Sequence, residues 1–231
     1  MDLLVEGVRE ALRLLGAGDR EVWSILLLSL QVSGSATLIS LALGIPAGAA
    51  LALSRFPGRG LVVSAVNSGM GLPPVVVGLF VTMVLWRSGP LGGWEILYTP
   101  AAIVIAQAVI ASPIVVGITL AAVQSVPREF RLQLLALGAS RAQMVWMVLR
   151  EARLPMLAAV MAGFGGVISE IGASMMVGGN IKGQTRTLTT AMVLETGKGN
   201  FEVAIALSLL LLTLVFLVSW ALTSIQQRRA F

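Results

Sequence analysis

Few side chains in this chain of 231 residues could do chemistry, and whole types are missing. There is no cysteine and no histidine, so thiolate nucleophiles, imidazole bases, disulfides, zinc sites and haem sites lack their groups. No phosphate-binding loop of the Walker kind occurs in the sequence either. Four features remain. Glu170 is a lone carboxylate in a long apolar stretch, and Pro73 and Pro74 are adjacent in another. Arginines gather between residues 127 and 154. Lys182, Arg186 and Lys198 stand among Thr185, Thr187, Thr189 and Thr190. Cations and hydroxyls donate hydrogen bonds, which suits an oxyanion or the acidic rim of another protein. The bland alternative is a solvated loop.

The elements that must hold these residues follow from composition. The chain is 57% apolar and 12% charged, with a mean hydropathy of +0.92; a soluble domain carries about 25% charged residues. A soluble globular enzyme and a disordered chain are both excluded. The charges cluster and leave five stretches, Glu21 to Arg55, Arg59 to Arg87, Glu95 to Arg128, Arg153 to Lys182 and Glu202 to Arg228, in which Glu170 is the one ionisable residue. Each exceeds the roughly 20 residues that cross a bilayer as a helix. The alternation of barrel strands is absent. An all-α integral membrane protein is expected, with about five transmembrane helices over 22–53, 61–86, 99–126, 155–178 and 203–226. The first and third are long enough to tilt, kink or project beyond the headgroups.

Residues 1–20 form a separate N-terminal segment. Leu4, Val8, Ala11, Leu12 and Leu15 recur at helical spacing opposite Glu6, Arg9, Glu10 and Arg13, which predicts an amphipathic surface helix rather than a cleaved signal peptide. Residues 21–226 make one transmembrane domain and 227–231 a tail. Five spans put the termini on opposite sides. One side carries nine basic and two acidic residues, including Arg228 and Arg229, and the other seven basic and eight acidic. The positive-inside rule makes the first side cytoplasmic, with the N-terminus outside. The net charge of +5 thus reads as orientation in a membrane, with lipid as partner, and not as nucleic-acid binding.

The cytoplasmic segment 127–154 reads as structured. Pro127 ends the third span, a helix follows over 128–137, Gly138 interrupts, and Ser140 caps a second helix running to Arg153. Two readings fit: an interfacial helix pair that snorkels its arginines, or a docking elbow for a cytoplasmic partner. Pro73-Pro74 removes two backbone donors and kinks the second span, so that backbone should face protein or water, either as a static kink or on a path across the membrane. A lone acid in a span costs on the order of 2.5–3.5 kcal/mol. Glu170 is therefore a structural acid bonded to a neighbouring Ser or Thr, a gate or hinge, or a proton-coupling group. An ionised carboxylate repels anions, so direct binding of an anion by Glu170 is disfavoured.

Several motifs carry a family resemblance. Leu137-Gly138-Ala139-Ser140-Arg141, ahead of Leu154-Pro155, resembles the cytoplasmic loop of ABC importer permeases, although Leu132, Gln133 and Leu134 occupy the usual Glu-Ala-Ala positions. Leu72-Pro73-Pro74-Val75-Val76-Val77-Gly78-Leu79, Ile168-Ser169-Glu170-Ile171-Gly172-Ala173 and Asn180-Ile181-Lys182-Gly183-Gln184-Thr185-Arg186-Thr187 resemble segments of the molybdate/tungstate permeases. Gly71-Leu72-Pro73-Pro74, Met175 to Asn180 and Leu194 to Gly199 are most similar to the tungstate type.

The resemblance implies the type I ABC importer permease fold and no catalytic residues in this chain. Residues 137–141 would couple to the ATPase. Pro73, Pro74, Glu170 and Gly172 would belong to the gate or translocation path. Lys182, Thr185 and Arg186 would form the outer docking surface for a binding protein. The implied partners are a second copy of the chain, two cytoplasmic ATPase subunits and an extracytoplasmic oxyanion-binding protein, in a prokaryotic inner membrane. This chain would bind no cofactor; ATP and Mg²⁺ would be used by the ATPases. Tungstate is the expected cargo. Molybdate or sulfate import is the near alternative, and an ion-coupled secondary transporter the distant one.

Overall fold

The computed structural model describes residues 2–16 and 18–228, and among the described residues the regular elements are all helical. Helix α1 (Asp2–Gly16) precedes the 34-residue α2 (Arg20–Leu53). At about 1.5 Å per residue α2 is about 51 Å long, more than the hydrocarbon needs. Asp19 starts it by accepting from the N–H groups of Glu21 and Val22. α5 (Pro100–Gln124) and α11 (Phe201–Arg228) are the other long helices. With α2 they are the three that are individually long and apolar enough to cross a membrane, and up to five spans result if each bent helix pair is one span.

The first, third and fifth expected spans are thus single helices. The other two are not. The 61–86 stretch is α3 (Arg59–Met70) and α4 (Pro74–Leu85), which meet at 102°. The expected kink is a full break, because Pro74 sits in the first turn of α4, where a missing N–H costs nothing. The 155–178 stretch is α8 (Arg153–Ile168), a break at residues 169–171, and the short α9 (Gly172–Gly178). Between α5 and α8 lie α6 (Arg128–Ala136) and α7 (Arg141–Glu151), the latter bent by 68° from α8. α7 ends two residues before the expected Arg153. Helix α10 (Leu188–Gly197) occupies what was expected to be an open loop.

α2 and α5 pack along their length. Lipid tails are as apolar as leucine, so close van der Waals fit and hydrogen bonds hold such a pair. Gly44 and Gly48 of α2 sit against Val115, Val116 and Thr119 of α5, while the Ser40 hydroxyl donates to the Ala108 carbonyl at 3.1 Å. Three clusters surround this pair. One joins α2, α4, α5 and α9 through Val32, Val81, Ile103 and Val177. A second joins α2, α10 and α11 through Ile25, Leu188 and Leu207. The third sits at the opposite end, where Val148 of α7 packs on Ala49, Val123 and Val126.

The amphipathic helix is present, but Ala11 and Gly7 bury against α11, and Val8 and Leu12 of the expected apolar face stay exposed. The side chains of Leu4, Leu15 and Arg228, and residues 229–231 with Arg229, lie outside the described residues.

Candidate coupling elbow and helix-break site

The α6–α7 elbow forms for local reasons. Gly138 has φ +86, a left-handed conformation that favours glycine, and closes α6 with bonds from its own N–H to Leu135 O and from Ala139 N–H to Leu134 O, both 3.0 Å. Ser140 then opens α7 with a reciprocal cap: its hydroxyl accepts from Gln143 N–H at 3.3 Å, and Gln143 Oε1 accepts from Ser140 N–H at 2.8 Å. The five expected coupling residues Leu137, Gly138, Ala139, Ser140 and Arg141 are therefore one compact turn. Leu137 is 85% exposed and Trp146 67% exposed, and both border a shallow hollow with Ala139 and Met147. Behind the turn, buried Val148 fixes α7 to the ends of α2 and α5. The elbow is thereby packed against the ends of both α2 and α5.

The two helix breaks come together. Gly172 begins α9 beside Val75 in the first turn of α4, and a Cβ on Gly172 would stand 2.5 Å from Val75 Cγ2. One turn on, a Cβ on Gly78 would stand 2.7 Å from the Cα of Ala173. The two half-helices α4 and α9 thus pack almost backbone to backbone. Pro73, Pro74, Glu170 and Gly172, placed together in the candidate path by resemblance, share this junction.

Glu170 is buried, 9% exposed, and its Oε1 accepts from Ala173 N–H at 2.8 Å. The carboxylate caps α9, where an acid is favoured by the helix dipole. The carboxyl's partner is thus a backbone N–H and not the expected Ser or Thr; the Thr189 hydroxyl donates instead to the main-chain carbonyl of Glu170, at 3.0 Å.

Two features of this junction were not singled out from sequence. Gln107 is 2% exposed in the middle of α5, and its Nε2 donates to the Val167 carbonyl freed at the end of α8, at 3.0 Å. An amide near the middle of an apolar stretch, far from the span's other amide Gln124 at its end, was the available signal. The other is α3, which buries no residue and exposes Ser64, Asn67 and Ser68. Polar side chains at that depth call for water or protein rather than lipid.

At the end opposite the elbow, the turn after α9 carries the expected docking residues. Thr185 does not reach the surface: it is fully buried, accepts from Ile181 N–H at 2.9 Å and donates to the Gly178 carbonyl at 2.5 Å. Thr187, Thr189 and Thr190 are buried as well, their hydroxyls satisfied around the start of α10. A polar residue type signalled a wet loop, whereas these hydroxyls close turns. Lys182 faces outward, whereas the Arg186 side chain is largely buried, 15% exposed; both pair with Glu21, at 2.6 and 3.2 Å. Further along, the Glu195 carboxyl is held below the usual carboxylate range by the Asn200 amide first and by Lys198 next.

Long apolar helices, spans broken next to one another and a structured elbow at one end of α2 and α5 define the architecture of a multi-span membrane protein. The chain belongs to the family of binding-protein-dependent transport system inner membrane components, whose model matches residues 44–231. It is a multi-pass permease subunit of an ABC importer, and an importer of this class works with ATPase and binding-protein partners. A probable anion ABC transporter permease protein of Haloferax volcanii is 46% identical over 83% of this chain and 85% of its own length. The tungstate uptake system permease protein TupB of Peptoclostridium acidaminophilum is 38% identical over 98% of this chain and 100% of its own. Among solved structures, a chain of the MetNI methionine ABC transporter in inward facing conformations aligns with a TM-score of 0.73 at 22% identity, covering 90% of this chain and 94% of that one.

Proposed function

We propose that this chain forms the membrane path of an ATP-driven importer for a tetrahedral oxyanion, with tungstate as cargo. The observation that carries this reading is the similarity to the tungstate permease of Peptoclostridium acidaminophilum over essentially both whole chains. Two copies enclose the path, since broken and exposed helices such as α3 need a second surface to shield polar backbone from lipid. The arginine-rich end with the elbow faces the cytoplasm and the Lys182–Arg186 turn faces outward, which puts the N-terminus outside.

Two cytoplasmic ATPase subunits hold ATP and Mg²⁺ and grip residues 137–141 of each copy. Their closure draws the elbows together, α7 transmits the movement to α2 and α5, and the α3–α4 and α8–α9 breaks act as hinges that switch access. Glu170 serves this step as a fixed cap on α9; its charge is spent on a backbone donor and is not displayed to the anion. Outside, Lys182 and Arg186 meet a binding protein whose acidic rim competes with Glu21 for them. That protein carries most of the selectivity.

The test is competition among tungstate, molybdate and sulfate for uptake by the complete transporter with its binding protein. Tungstate outcompeting both supports the cargo assignment. Molybdate or sulfate winning refutes it and leaves the permease role intact.

A further inference from the structure

A second feature near the elbow is distinct from the coupling turn. Where α2 ends and α3 begins, a cavity of about 390 Å³ is lined by Arg55, Arg59, Arg128 and Arg131. No carboxylate lines it, and none of the four arginines belongs to an ion pair among the described residues. Two of them are held by helix ends: Arg59 Nε donates to Leu51 O at 2.7 Å, and Arg131 Nη2 donates to Val123 O at 3.2 Å and Val126 O at 3.0 Å. These bonds fix two guanidinium groups at the carbonyl ends of α2 and α5, where a cation is favoured. They do not use the remaining donors. Arg131 Nε is buried without a partner, and the side chains of Arg55 and Arg128 make no hydrogen bond among the described residues. Four like charges around one cavity repel one another unless an anion joins them.

We propose that this cavity binds a tetrahedral oxyanion, the phosphate of an acidic phospholipid headgroup. Guanidinium forks match phosphate oxygens in pairs. The setting points to a lipid as their source. The cavity lies at the ends of α2 and α5, two helices long and apolar enough to cross a membrane, and its wall includes Leu132 and Leu135, which are 53% and 43% exposed. A headgroup seated on the arginines would lay its acyl chains along such a wall. The bound lipid would tie the end of α2 to α6 and so stiffen the base from which the elbow projects.

The test uses the full-length chain in its transporter complex, with native mass spectrometry titrating phosphatidylglycerol against phosphatidylcholine. The variant Arg55→Gln/Arg128→Gln leaves the two helix-end arginines in place. Arg9→Gln/Arg20→Gln removes the same charge at the other end. Wild type and the control should retain phosphatidylglycerol equally. The cavity variant should bind it roughly thirtyfold more weakly, the loss of about 2 kcal/mol expected for two arginines near a headgroup at about 1 kcal/mol each. Equal retention by all three overturns the site. Protection of wild type, but not the cavity variant, by inorganic phosphate or tungstate without a lipid difference overturns the lipid as source. Loss of the ATPase subunit from the cavity variant, with lipid binding unchanged, overturns the proposal in favour of a protein carboxylate.

Discussion

Replacing Glu170 separates a cap from a charge-relay role. Its Oε1 lies 2.8 Å from Ala173 N, and the side chain is buried. Glu170→Gln keeps a carbonyl oxygen of the same reach, so the cap persists and only the charge–dipole part is lost, about 0.3–1 kcal/mol. Glu170→Ala removes the acceptor and leaves the Ala173 N–H unpaired in a dry junction, which adds about 1–3 kcal/mol. The expected order of thermal stability for the purified full-length protein is wild type, then Gln close behind, then Ala lower by about 1–4 kcal/mol in all. Uptake by the reconstituted transporter should follow the same order, with the Gln variant active. A Gln variant that is stable yet transports nothing would refute the capping account and require a titrating proton at this position.

Other outcomes follow from single contacts. Gly78→Ala pushes a methyl group to 2.7 Å from the Ala173 backbone; overpacking of about 1–3 kcal/mol outweighs the gain of about 1 kcal/mol in helix propensity. Gly34→Ala, with nothing within 4 Å, should be neutral or stabilising, and thermal denaturation that ranks the two alike would contradict the α4–α9 contact. Gly138→Ala meets open space but a φ of +86, so about 1–2 kcal/mol of backbone strain should distort the elbow and lower uptake per ATP hydrolysed while membrane insertion stays normal; an unchanged ratio would remove the elbow from coupling. The Glu195 carboxyl is depressed below its ordinary value of 4.5, first by Asn200 and then by Lys198. Its stabilisation is present above that value and is lost as pH falls through the depressed one. Asn200→Ala should therefore flatten the acid limb of a melting-temperature profile, and superimposable profiles would show that the contact is not made in solution.

The sequence made the ends of the helices more legible than their middles. Gly138 and Ser140 carry local signals, so the elbow could be placed to within a residue or two before any packing was known. Charge-poor windows located five hydrophobic stretches, but window length does not report direction. Pro73-Pro74 was read as a kink and is a 102° break, because a proline at a helix start is indistinguishable by type from one inside a helix. The same ambiguity hid the break at residues 169–171, where Glu170 caps a new helix instead of interrupting an old one. Thr185 and its neighbours were read as surface hydroxyls since threonine is polar, yet their partners are backbone groups brought close only by the tertiary turn. Gln107 was overlooked for a related reason: its partner lies 60 residues away.

The most direct measurement is labelled tungstate uptake into vesicles holding the permease, its ATPase subunits and its binding protein, with no ion gradient imposed. Uptake that requires internal ATP and is indifferent to a protonophore is the expected result. Uptake that continues without ATP and collapses when the protonophore is added would contradict the account.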